Sequence, residues 1–300
     1  ASGQIFLTTV ERRSVMKKIL IALGTLMAFS ALFAFNWPQN EILSDSFYSY
    51  FGQLRGGTTG TSLIFSESKN VKAAEDGRIL AIISEHDEDE LFESTLGNAA
   101  ILAHKDSLIT VYANLDSEKL PELYKMSVVK SGTSFGTTGT SSWQEGEGCL
   151  EFQVLDTKER TYVNPRILMP RIGKELPLTI KNVVAVSKKG VSYDLGTIKS
   201  MPSGVYMLYR EKQDIAMPYK TIVYYNGAVA EALTYDTLSE SNGRICVSGK
   251  KNYDVSVMYP NNEQQFLGEV TFTKGKAQVT VVASDILGKE KQIVYTMDVR

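Results

Sequence analysis

Two stretches decide how this chain folds. One is Val71-Lys72-Ala73-Ala74-Glu75-Asp76-Gly77-Arg78-Ile79, and the other is Cys149-Leu150-Glu151-Phe152-Gln153-Val154. The second alternates apolar and polar side chains with a period of two from Leu150 onward, the pattern of a strand with one face in a core, and the first holds a short run, 71–74, parted by turn residues from the start of the next at Arg78. Between and around them come further short runs of the same kind, at 62–65, 78–84, 99–104, 108–115 and 134–136. Turn residues separate these runs. Helical periodicity is confined to 117–124, where Pro121 keeps the helix short. The chain therefore reads as all-β.

Three prolines, Pro165, Pro170 and Pro177, mark a boundary. Beyond it new strand signals fall at 178–186, 191–195, 204–210, 221–225, 253–259, 267–273, 278–283 and 292–298. Asn226-Gly227 predicts a two-residue hairpin turn, because both central positions of such a turn need φ > 0. Many strands at short spacing with almost no helix resemble an immunoglobulin-like sandwich, and the 283–289 segment resembles the last hairpin of bacterial Ig-like modules. The expected domains are 45–170 and 175–300.

The 300 residues are 43% hydrophobic and 22% charged, enough apolar material for a core and far from disordered or collagen-like composition. The formal net charge is −2. The first 34 residues hold four cations, Arg12, Arg13, Lys17 and Lys18, against Glu11, so the remainder is net −5. An acidic body does not match a nucleic-acid-binding protein. There are only two histidines, His86 and His104, which limits imidazole chemistry.

Met16-Lys17-Lys18 followed by the apolar run 19–35 reads as a signal peptide over 16–34, with cleavage after Ala34. The alternative is a retained membrane anchor. Residues 1–15 lie ahead of a natural start and read as leader or non-native sequence. Export would permit a Cys149–Cys246 disulfide, although cysteines so far apart in the chain are more often buried thiols.

The order of the first-domain segments resembles the lysostaphin-type (LytM-domain) zinc endopeptidases of bacterial cell walls. The segments are 71–79, 97–104, Thr110-Val111-Tyr112-Ala113-Asn114-Leu115, 129–136, 149–154 and Val163-Asn164-Pro165. The resemblance covers about 47–170. It implies an antiparallel β-sheet domain with zinc held by a His-x-x-x-Asp pair and by the second histidine of a His-x-His strand. Two more histidines would assist proton transfer. These positions fall on Thr58 and Ser62, on Cys149 and Glu151, and on Asn114. None keeps the family's residue. Three protein ligands and an open position are what a catalytic zinc needs, and one carboxylate does not supply them.

The resemblance therefore implies an inherited scaffold without zinc or catalysis. Its degenerate groove would comprise Thr58, Ser62, His104, Asn114, Cys149 and Glu151. The expected partners are peptidoglycan stem peptides or an envelope protein such as a wall amidase, in the periplasm or elsewhere in the cell envelope. Membrane contact is expected only if the signal segment is retained. The alternatives are a wall metallopeptidase using His104, Glu151 and Asp116, and a purely structural envelope protein. His104 also reads as a strand histidine satisfied by a nearby carbonyl, and Cys149 as a small buried strand residue. His86 lies in the acidic run 85–90, which reads as a solvated loop tip. The glycine-rich 132–148 stretch lacks the lysine and helix of a phosphate loop.

Overall fold

The computed structural model describes residues 35–84, 94–143 and 149–300. Residues 1–34, where the sequence is read as leader and signal peptide, the acidic run with His86, and residues 144–148 lie outside them. The described chain is nearly all β and the sheets are antiparallel apart from one short parallel pairing.

In the amino-terminal half, Gly77–Ile83, Ala99–Ala103, Leu108–Ala113, Glu151–Asp156 and Thr161–Val163 follow one another across a single sheet. Ser62–Phe65 pairs with the first half of Glu151–Asp156, and Thr161–Val163 with the second half. Register sorts the side chains by face. One row runs Ala100, Tyr112, Phe152, Leu63, and all four are buried. Here Tyr112 meets Phe135 and Phe152 at ring-centroid distances of 4.9 and 5.1 Å. The next row, Ile101, Val111, Gln153, Ser62, points to the opposite face. That second face carries the candidate site.

The carboxyl-terminal half is a two-layer sandwich. One layer holds Ser192–Asp194, Val184–Ser187, Gly204–Glu211 and Gln264–Phe272, and the other is built on Lys220–Tyr225, Gly275–Ser284 and Glu290–Val299. Leu208, Val223, Phe272, Val279, Val281 and Met297 fill the space between. The Asn226-Gly227 turn has φ values of 48° and 84°, the doubly left-handed geometry its sequence predicts.

The two halves share one sheet. Ala228–Ser241 pairs with Lys220–Tyr225 near its start and with Thr161–Val163 near its end. One hydrophobic cluster accordingly includes Phe51, Leu63 and Phe152 together with Leu233, Tyr235, Tyr259 and Phe266.

Some expectations need correction. The 14-residue strand Ala228–Ser241 has no counterpart among the runs read from sequence. The 253–259 run is a strand only over Asn252–Asp254; Asp254 then caps the helical turn Val255–Met258, its carboxylate accepting from the Ser256 N–H at 2.9 Å. The proline boundary also opens on a helical turn, Pro165–Leu168, capped by Asn164. The helical 117–124 segment is present as a 3₁₀ turn, Ser117–Lys119, followed by Leu120–Leu123.

Candidate functional site

On that second face, Glu151 stands at the start of its strand between Ala113 and Ile64. A carboxylate there is nine-tenths buried and needs partners. It has a guanidinium: Arg55 Nη1 donates to Oε1 at 2.7 Å and Nη2 to Oε2 at 3.1 Å, a bidentate ion pair. The Ser62 hydroxyl also donates to Oε1, at 2.7 Å, and Arg55 Nη1 lies 3.5 Å from Ser62 Oγ. Beside them Gln153 Nε2 donates to Thr61 Oγ1 at 2.6 Å. Away from this polar end the same face is aliphatic, with Ala99, Val111 and Ala113 buried beneath half-buried Ile83, Leu96, Ile101 and Leu155.

Arg55 is delivered by a tight hairpin, Leu54–Arg55 paired with Thr58–Thr59 through Gly56 and Gly57, both at positive φ. Thr58 is the cross-strand partner of Arg55 and is exposed on this hairpin. The structure thus gathers Ser62 and Glu151 at one guanidinium, with Thr58 across the hairpin from Arg55.

Asn114 plays a different part from the one expected. It has a φ of 63°, a left-handed conformation that Asn tolerates better than most residues. Its backbone N–H donates to Leu96 O and its carbonyl accepts from Gly139 N–H, at 2.9 and 2.8 Å. Its Nδ2 donates to Cys149 O at 2.7 Å, and its Oδ1 accepts from Ser142 N–H at 3.1 Å. Asn114 is 1% exposed. It staples three loops together, so its reading as a ligand-facing floor residue is corrected.

His104 is also corrected as a groove position. It lies at the far end of the Ala99–Ala103 and Leu108–Ala113 hairpin, roughly 17 Å of strand from Asn114. Its Nδ1 meets Asp76 O at 2.9 Å, its Nε2 meets the Thr110 hydroxyl at 2.7 Å, and Phe35 lies against the ring. Nδ1 therefore carries the proton and Nε2 accepts. Burial holds its pKa below the usual histidine value.

Asp116 caps the turn at Ser117–Lys119, accepting from Glu118 N–H at 2.7 Å. The alternative metal set of His104, Glu151 and Asp116 is therefore not assembled. Cys149 is buried, and desolvation pushes its thiol pKa up, away from the reactive thiolate. Cys246 is a free buried thiol as well.

Comparison with known proteins bears on this site. The family model described as "Peptidase family M23" matches residues 56–165. Residues 56–165 belong to peptidase family M23. A second family model matches residues 177–300. An uncharacterized protein of Treponema pallidum (strain Nichols) is 33% identical over 132 residues, 41% of this chain and 88% of that protein. Among solved structures, a zinc-containing peptidase from Vibrio cholerae aligns with 46% of this chain at 19% identity and a TM-score of 0.34. A peptidase M23 from Pseudomonas aeruginosa aligns with 51%, at 19% identity and a TM-score of 0.29. The chain spans 40% and 61% of those two structures.

The M23 domain's donor set does not fit a zinc ion. The positions implied as ligands hold two hydroxyls, Thr58 and Ser62, and a carboxylate that already grips Arg55. A dication within about 4 Å of that guanidinium would be repelled by on the order of 8 kcal/mol at an effective dielectric near 20. Of the residues around the M23 site, sequence reasoning missed Arg55. Its signal was a lone cation three residues ahead of Thr58, complementary in charge to Glu151.

Proposed function

We propose that the M23 domain of this chain is a non-catalytic binding module of the bacterial cell envelope, exported and engaging the peptide chains of peptidoglycan. The observation that carries this reading is the Arg55–Glu151 ion pair, with Ser62 bonded to it, at the position where the family resemblance implies zinc. A site whose cation is a guanidinium, with hydroxyls where zinc ligands are implied, supplies neither a Lewis acid nor a metal-bound water to attack an amide. What the site retains is a binding face, with polar groups at one end and half-buried aliphatic side chains along the rest.

The test is co-sedimentation of the exported protein with purified sacculi, alongside assay of soluble muropeptide release. The expected result is sedimentation without release, whether zinc is added or not. Release that a chelator abolishes would show an enzyme instead. Failure to sediment would move the partner from peptidoglycan to an envelope protein, such as a wall amidase.

A further inference from the structure

Arg55 has more donors than Glu151 and Ser62 consume. A guanidinium offers five N–H groups in one plane. Those on Nη1 are directed at Glu151 and Ser62, and one on Nη2 at Glu151. Nε–H and the remaining Nη2–H have no protein partner among the described residues. In a planar guanidinium these two neighbour each other and run parallel, so they form a second fork of the kind that matches a carboxylate. The side chain is one-third exposed, so the guanidinium is not sealed within the core.

The anchor is also stiff. Glu151 and Ser62 hold the far edge of the plane, so the free fork needs little ordering when a ligand arrives. Next to it the floor turns aliphatic, through Ala113 opposite Glu151 and then Val111, Ile101 and Leu155.

We infer that Arg55 is the recognition residue of this sheet face and that it takes a carboxylate, from a peptide whose neighbouring side chains are small and aliphatic. This rests on the peptide-binding reading above and names the group that is read. A positive charge of the protein's own thereby stands where the family resemblance implies a metal, and it binds an acyl end without cleaving it.

The probes are N-acetyl-Ala-Ala as the free acid and as its C-terminal amide, titrated into the protein with amide and arginine side-chain resonances followed by NMR. The free acid is expected to bind at least about tenfold more tightly than the amide, shifting Arg55 Nε–H. In Arg55→Met the difference should vanish. Arg55→Lys keeps the charge but not the fork, and should lose most of it too. Backbone spectra of both variants report whether the fold is intact.

Equal binding of acid and amide, or no binding of either, overturns the inference, as does a preference that survives in Arg55→Met. Sacculus sedimentation is scored separately. If sacculi are bound while the acid is not, the carboxylate inference alone fails; if sacculi are not bound, the peptidoglycan reading fails.

Discussion

Tyr259 donates its hydroxyl hydrogen to the carbonyl of Gly52 at 2.7 Å, across 207 residues of sequence. The same phenol oxygen accepts from Gln265 Nε2 at 3.2 Å, and Gln265 Oε1 accepts from buried Arg210. On the other side of Gly52, its N–H donates to Gly60 O and Gly60 N–H donates to Gln53 O, which closes the hairpin that carries Arg55. Gln53 Nε2 in turn donates to Asp214 O at 2.6 Å. The carboxyl-terminal half thus seats the hairpin on which the groove's cation depends, which a mere spacer would not do.

Gly52 is the tightest point of that seat. Its φ is +84°, and a Cβ there would meet Tyr235 Cδ1 at 2.6 Å. Left-handed backbone costs a non-glycine residue about 1–2 kcal/mol, and overpacking a core adds about 1–3. Gly52→Ala is therefore expected to lose about 2–4 kcal/mol in urea denaturation. Tyr259→Phe, which orphans a buried carbonyl, should lose about 1–3.

Asn114 allows a sharper comparison. Asn114→Ala and Asn114→Gly both leave the Cys149 carbonyl and the Ser142 N–H without their side-chain partners. Only the glycine variant accepts a φ of 63° without strain. Both should be less stable than wild type, with Gly retaining about 1 kcal/mol more than Ala. Asn114→His restores the family's residue but not the staple, and should destabilise the fold without producing muropeptide release.

The fold was legible where side chains alternate strictly or turn residues are unambiguous. The 149–154 strand and the Asn226-Gly227 hairpin are of that kind, because short-range sterics set their geometry. Ala228–Ser241 escaped because its role is long-range: it pairs in turn with strands of both halves, and neither local apolar content nor turn signals announce that. At the site, the family's motif order names Glu151 and Ser62, which the structure bonds to each other. The sequence leaves open two readings of His104, of which the Asp76 contact matches the carbonyl-satisfied strand histidine, and it does not foresee Asn114 as a staple, since a residue's position on a strand does not reveal which end of the sheet it occupies or how many of its bonds the backbone consumes. Arg55 belongs to no motif, and its partner is 96 residues away.

Arg210 is 1% exposed, and the partners that hold it are the Gln265 side-chain oxygen and the Thr179 carbonyl. Neither is an anion, and burial lowers its pKa. Arg210→Lys would keep a desolvated charge while losing the fork that serves Gln265. Arg210→Met would remove the charge and leave two acceptors unpaired, a loss of about 2–3 kcal/mol. The lysine variant is therefore expected to be the less stable of the two by chemical denaturation, and the opposite order would show that the charge is compensated by groups other than these.

His104 gives the pH dependence its sign. Its folded pKa is held below the unfolded value near 6.5, chiefly by burial, with the Asp76 carbonyl and the charge of Glu75 opposing. The unfolded chain therefore binds the proton more readily than the native one, and stability rises with pH through the interval between the two values. In the acid direction the contribution is whole above about pH 6.5 and is lost as pH falls toward the folded pKa. His104→Gln removes this titration, so the difference in unfolding free energy between wild type and variant should shrink as the pH is lowered from 7.5 to 5. A difference that stays constant across that range would mean that the ring is protonated as readily in the fold as in the open chain, the Asp76 carbonyl and Glu75 then offsetting burial in full.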